Sequence, residues 1–175
     1  MRILQVCSGS NQLQRGAERF CVSIAESLLH SGHEVTLVVG PRALMGHGSR
    51  TMPMVTIPEA INPWLRKTCF DYINPFAVAA FRQHLLNLRP DIVHFHSLYG
   101  LSTSLVRIAS RLYPVVVTLH DAWLAFSDSG ILTPKMELAN TYFKVPHAYI
   151  HRRINRYHLR DVTLVSPSRW LARFF

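Results

Sequence analysis

The chain is poor in cysteine, in acidic residues and in long apolar runs, and each shortage removes a class of protein. Its three cysteines, Cys7, Cys21 and Cys69, form no CxxC pair, and an odd, scattered set is neither a disulfide framework nor a zinc motif. Cys7 and Cys21 fall on an apolar strand and an apolar helix face, where a thiol serves as a small buried hydrophobe. The expected setting is therefore a reducing cytoplasm. No stretch reaches the roughly 18 apolar residues of a membrane span. The opening MRILQVCSGSN has one basic residue and an apolar run of about five, short of the roughly 7 to 15 that a secretory signal requires. Also missing are GxGxxG, GxxxxGK[ST] and GxSxG, so dinucleotide, NTPase and serine-hydrolase chemistry lose their usual support. Acid is scarce, with 10 Asp and Glu against 19 Lys and Arg, for a net charge of +9. Such a surplus concentrates phosphates, nucleic acid or anionic lipid without choosing among them.

What is present is the composition of one globular domain: 175 residues, 49% hydrophobic and 17% charged, enough to bury a full core. RILQVCS (2–8) reads as a strand, and AERFCVSIAESLLHSG (17–32) as a helix with Phe20, Ile24 and Leu28 on one face and Gly32 as its stop. HEVTLVV (33–39) is a second strand and MVTI (54–57) a short third. PFAVAAFRQHLLNLR (75–89) has helical spacing, with Pro75 in its first turn and Pro90 beyond its end. DIVHFH (91–96), GLSTSLVRIASRLY (100–113) and PVVVTLH (114–120) read as strand, helix and a strand buried on both faces. HAYIHRRINRYHLR (147–160) is helical, VTLVSPS (162–168) a last strand, and RWLARFF opens a helix. Strands alternating with helices imply an α/β, doubly wound, mostly parallel sheet with helices on both faces. Ligands of such sheets bind beyond the carboxyl ends of the strands, where the crossover direction reverses. Four loops therefore matter together: 8–16, 96–100, 120–130 and 166–169.

The first loop, SGSNQLQRG, carries Gly9 and Gly16 seven apart, and no acid ends the second strand, so an NAD-binding domain is disfavoured. Gly16 still stands just before a helix, where free backbone amides and the positive helix end meet a phosphate, and Arg15 adds a cation. The alternative is a plain strand-to-helix turn. His94 and His96, two apart on a strand, share a side with each other, and His120 ends another strand. Three metal ligands are the weaker reading, since no carboxylate or cysteine completes the set; substrate contact is expected of His96 and His120, and structural duty of His94. In TLHDAW, His120 and Asp121 stand at the tip of the most apolar strand, as groups that hold hydroxyls or polarise a reacting centre. Alternatively, Asp121 caps the following turn. YIHRRINRYHLR mixes tyrosine and arginine at helical spacing, as a solvated basic face, an anionic-lipid face or an RNA face would. Basic residues cluster there: between Lys135 and Phe175 stand Lys135, Lys144, Arg152, Arg153, Arg156, Arg160, Arg169 and Arg173, against Glu137 and Asp161. Trp170, Phe174 and Phe175 either pack back on the sheet or face something else.

Taken in order, RGAERFCVSIAESLLHSGHEVTLVV, RPDIVHFHS, VVVTLHDAW and VSPSRWLA resemble the N-terminal domain of family-4 retaining glycosyltransferases with the GT-B fold. The resemblance covers nearly the whole chain and is specific as an ordered set. It implies a Rossmann-like acceptor-side domain facing, across a cleft, a C-terminal domain that binds a nucleotide-sugar. It implies that Gly16, with Arg15 beside it, approaches the donor diphosphate, that His120 contacts the transferred sugar and that Asp121 lies on the acceptor side. Ser97, Tyr99 and Arg169 fall at acceptor-contacting positions. The implied partners are a nucleotide-sugar and a glycan or lipid-linked acceptor, with no metal or other cofactor and no nucleic acid. The implied place is cytoplasmic, peripheral on the inner membrane face. Two departures stand out. The family's GGAE reads RGAE here, so Arg15 narrows the loop's conformational range. The donor-binding domain, with its Arg/Lys pair and E-x7-E motif, is absent from this sequence, so the chain alone is expected to be inactive unless that domain acts in trans. A non-catalytic module binding a glycan or phospholipid headgroup is the alternative.

Overall fold

A computed structural model describes residues 1–8, 16–40, 52–58, 72–98, 100–121, 123–126 and 146–173. Six strands, β1 (Arg2–Cys7), β2 (Glu34–Val39), β3 (Met54–Thr56), β4 (Ile92–Phe95), β5 (Val115–Thr118) and β6 (Thr163–Val165), form one sheet in the order β3-β2-β1-β4-β5-β6. Every neighbouring pair is parallel. The helices are α1 (Gly16–His30), α2 (Pro75–Leu88), α3 (Ser104–Ser110), α4 (Trp123–Phe126), α5 (Pro146–His158) and α6 (Arg169–Ala172). This is the doubly wound Rossmann-like arrangement, with its switch point between β1 and β4. The strand and helix boundaries follow the apolar runs to within a few residues; the short α4 lies in a stretch with no clear periodicity.

Local chemistry sets the helix ends. Gly32, at φ +82, provides the left-handed residue after α1, and its amide and that of His33 bond back to the Leu29 and Leu28 carbonyls. At α2 the Asn74 side chain accepts from the Ala77 amide and Pro75 fills the first turn, while Arg89 turns left-handed before Pro90.

The two faces of the sheet differ. One is wholly apolar: Leu4, Val6, Val93, Phe95, Val115, Val117 and Leu119 pack with Phe81 and Leu85 of α2 and Leu105 of α3. The other carries a smaller core under α1, in which Ile3, Cys7, Cys21, Ala25, Val35, Leu37 and Val39 meet. Both cysteines are buried and free; the Cys21 thiol is pushed well up, first by its hydrogen bond with Cys7 and then by burial, so it is inert to ionisation. Because β1 and β4 pair Gln5 with His94, the period of two places Gln5, His94 and His96 on this α1 side.

Helix α5 shows why an exposed, basic sequence still folds onto the domain. Its inner face is polar but satisfied. His151 donates from Nε2 to the Trp123 carbonyl at 2.6 Å and accepts at Nδ1 from the Tyr72 hydroxyl at 3.0 Å. Asn155 donates to the Leu124 carbonyl at 2.9 Å and accepts from the Thr103 hydroxyl at 2.9 Å, and His158 Nδ1 donates to that hydroxyl at 2.8 Å. These bonds hold α5 to α4 and to the start of α3.

Candidate functional site

Parallel strands send all their carboxyl ends to one edge, and the crossover reverses between β1 and β4, the place where ligands of such sheets bind. Beyond β1, the Ser8 amide donates to the Ser97 carbonyl at 2.7 Å and the two hydroxyls lie 2.7 Å apart. This pair ties the ends of the two central strands together. The N-terminus of α1 begins at Gly16, which is exposed, and a Cβ built there meets nothing within 4 Å. Among the described residues no atom close to Gly16 demands glycine.

Three imidazoles occupy the α1 side of this edge. His96 Nε2 donates to Gln5 Oε1 at 2.7 Å, and His96 Nδ1 lies 3.2 Å from His120 Nε2. His94 Nε2 lies 2.8 Å from the Thr118 hydroxyl. The His94 and His96 rings lie 4.1 Å apart, and Phe20 of α1 meets His96 and His120 edge-on at 5.9 and 5.3 Å. Burial holds His94 at about 4, with a smaller push from His120. Burial takes His96 to about 2, with His94 and His120 adding to it. His120 is lowered as well by burial, against a pull upward from the Asp121 carboxylate. The rings are neutral at neutral pH, so each offers one donor and one acceptor nitrogen. Among the described residues no group of three or more His, Cys, Asp or Glu is arranged to hold a metal ion.

The family described as Glycosyltransferase Family 4 matches residues 14–175. The chain belongs to Glycosyltransferase Family 4. Solved structures agree on the fold. The Anabaena protein HepE, determined with UDP, superposes with a TM-score of 0.56 at 16% identity, over 99% of this chain and 40% of its own. Acinetobacter baumannii MurG gives 0.56 at 14% identity, over 95% of this chain and 41% of its own. The spinosyn forosaminyltransferase SpnP gives 0.52 at 16%, over 97% and 47%. The chain thus spans less than half the length of each of these proteins. No curated protein matches it significantly.

This family 4 chain brings most of its sequence-predicted site residues to one edge. Gly16, Ser97, His120 and Asp121 follow β1, β4 and β5, which are neighbours. Arg169 is exposed at the start of α6, after β6, three strand spacings from β1 or about 14 Å along the edge. Arg15 and Tyr99 lie outside the described residues, as do Phe174 and Phe175. Asp121 performs the capping role: its Oδ1 accepts from the Trp123 amide at 2.9 Å and starts α4. His96 is corrected. It is 4% exposed and both its ring nitrogens are engaged within the protein, so it does not reach a substrate. His94 keeps the structural duty expected of it. Gln5, Ser8, Thr118 and Phe20 belong to the site without having been singled out in the sequence. Trp170 is 47% exposed, whereas Leu171 packs inward.

Helix α5 presents a second surface. Tyr149, Ile150, Arg152, Arg153, Arg156 and Tyr157 are exposed, and the helix contains no acid. Arg153 lies 5.7 Å over the Tyr149 ring and Arg160 5.1 Å over that of Tyr157. Asp161, beside this face, is held by Arg107 and Arg160. No helix among the described residues is long and apolar enough to cross a membrane.

Proposed function

We propose that this chain is the acceptor-side half of a retaining, metal-independent glycosyltransferase that moves a sugar from a nucleotide-sugar to a glycan or lipid-linked acceptor. The observation that carries the reading is the gathering of Gly16, Ser97 and His120 at the carboxyl edge of the switch point, in a member of family 4. In this reading the amides at the start of α1 meet negative charge building on the leaving diphosphate. The bond from the anomeric carbon to that diphosphate breaks as the bond to the acceptor oxygen forms. His120 holds a hydroxyl of the sugar, and Asp121, Ser97 and Arg169 orient the acceptor. The nucleotide-sugar is held mainly by a donor-binding domain across the cleft, and the site works on the cytoplasmic side of the membrane.

The test is transfer from a panel of UDP-, dTDP- and GDP-sugars by the chain alone and together with a separate donor-binding domain. Transfer only in the second case is expected. Turnover by the 175 residues alone contradicts the half-site reading, and no transfer in either case removes the proposal. A second reading, a non-catalytic module for glycan or phospholipid headgroups, is favoured by the Arg and Tyr face of α5, whose chemistry suits an anionic membrane surface. Flotation with anionic against zwitterionic vesicles at low salt separates the two lipids; no flotation with either removes the membrane part.

A further inference from the structure

Gln5 is the odd residue of the sheet. It sits in the middle of β1 between Leu4 and Val6, with 0% of its surface exposed, and a primary amide buried there costs free energy unless it is bonded. Its oxygen is met by His96 Nε2 at 2.7 Å, while its nitrogen makes no hydrogen bond among the described residues. An amide oxygen only accepts, so His96 carries its proton on Nε2. In a neutral ring the other nitrogen is then bare. His96 Nδ1 faces His120 Nε2 at 3.2 Å, which puts the shared proton on His120 Nε2. His120 Nδ1 is left unprotonated, and it makes no hydrogen bond among the described residues. Phe20 edge-on against both rings, and His94 tilted against His96 and tied to Thr118, restrict rotation of the pair.

We propose that Gln5 and His96 are positioning residues, which hold the Nε2 proton of His120 inward and turn its Nδ1 lone pair to the cleft. A ring set in this way accepts from a substrate hydroxyl and rejects a carboxylate or phosphate oxygen at the same place. That the hydroxyl belongs to a sugar rests on the function proposed above; the proton order does not. The fold supports the arrangement because its members come from β1, the end of β4 and the end of β5, three adjacent strands in register. A single-strand motif cannot supply it.

The experiment is nitrogen-15 correlation spectroscopy of the histidine side chains of the full 175-residue chain at neutral pH. The expected spectrum shows His96 and His120 both protonated at Nε2 and bare at Nδ1. Protons on Nδ1 of both rings would reverse the relay and overturn the proposal, because His120 would then donate into the cleft. Gln5→Met removes the accepting oxygen at similar volume and is expected to draw the two nitrogen shifts of each ring toward an averaged value. His96→Asn places an oxygen near the position of Nδ1 and is expected to keep the His120 pattern, whereas His96→Leu loses it. A folded Gln5→Met chain with an unchanged spectrum refutes the positioning role; should that variant fail to fold, the wild-type and His96→Asn spectra decide. Loss of the sugar-transfer reading with the pattern intact leaves the relay standing, and a reversed pattern leaves sugar transfer standing.

Discussion

The imidazoles at the carboxyl edge and those beneath α5 are made of the same residue type, and they do different things. Burial lowers His158 to about 4, with Arg107 adding to the effect, much as it lowers His94 to about 4. Under α5 both ring nitrogens of His151 bond the protein, at the Trp123 carbonyl and at Tyr72, while among the described residues His158 bonds Thr103 through Nδ1 alone. At the edge the chain runs from Gln5 through His96 to His120 and then stops at a bare nitrogen. A perturbed histidine is therefore no signature of a site by itself. The difference lies in where an unused nitrogen stands: that of His120 belongs to a half-buried ring at the carboxyl edge, that of His158 to a buried residue of α5.

The largest response is expected from pH, where the two networks behave alike. A histidine whose folded pKa is depressed binds its proton first in the unfolded chain, so stability is complete above about 6.5 and falls as pH drops. For His94 and His158 the loss runs from about 6.5 down to about 4, and for His96 it continues toward about 2. The slope is about 1.4 kcal/mol per pH unit for each histidine kept neutral. Urea unfolding at a series of pH values checks this, and His158→Gln should flatten the curve while His120→Ala flattens it little. A stability independent of pH between 4 and 6.5 would break the account of both networks.

Next in size, His120→Ala should lower sugar transfer in the complemented system by about 100-fold or more, as expected for removing a preorganised hydrogen-bonding group, with unfolding nearly unchanged. The reverse pattern is expected of His151→Leu, which removes the bonds to the Trp123 carbonyl and the Tyr72 hydroxyl and should cost about 1 to 3 kcal/mol in urea unfolding, leaving ligand response alone. If the two variants exchanged these effects, the distinction between the networks would be wrong. The smallest effect is expected at the exposed Arg2 and Asp91 pair, 3.7 Å apart, where Asp91→Asn should change stability by less than about 1 kcal/mol, although Asp91 also accepts from the Arg2 amide.

Much of the fold was legible because a parallel sheet writes itself as short apolar runs separated by amphipathic ones, and once that order is read, the carboxyl ends must share an edge. Gly16, Ser97 and His120 could be placed together on that ground alone. Gln5 was not legible: a glutamine in a strand looks like a solvent-facing position, and its partner His96 lies 91 residues away. His96 looked like a ligand contact for the same reason, since only the tertiary pairing shows both nitrogens occupied. In α5 the exposed basic face was legible, and the inner polar face was not read. His151, Asn155 and His158, spaced four and three apart, mark one helical face, but the arginines of the opposite face dominate the composition. Helix α4 depends on the Asp121 cap, which the local sequence offered, and on the bonds from α5, which no local pattern announces.

The central claim, that the histidine relay at the carboxyl edge and not the histidines beneath α5 faces the substrate, is tested most directly by titrating the chain, together with the separate donor-binding domain, with UDP-, dTDP- and GDP-sugars while following the histidine ring resonances of this chain. The account predicts saturable shifts of His120 with at least one of them, with His151 and His158 unmoved. Shifts confined to His151 and His158, or none at any histidine up to millimolar ligand, would contradict it.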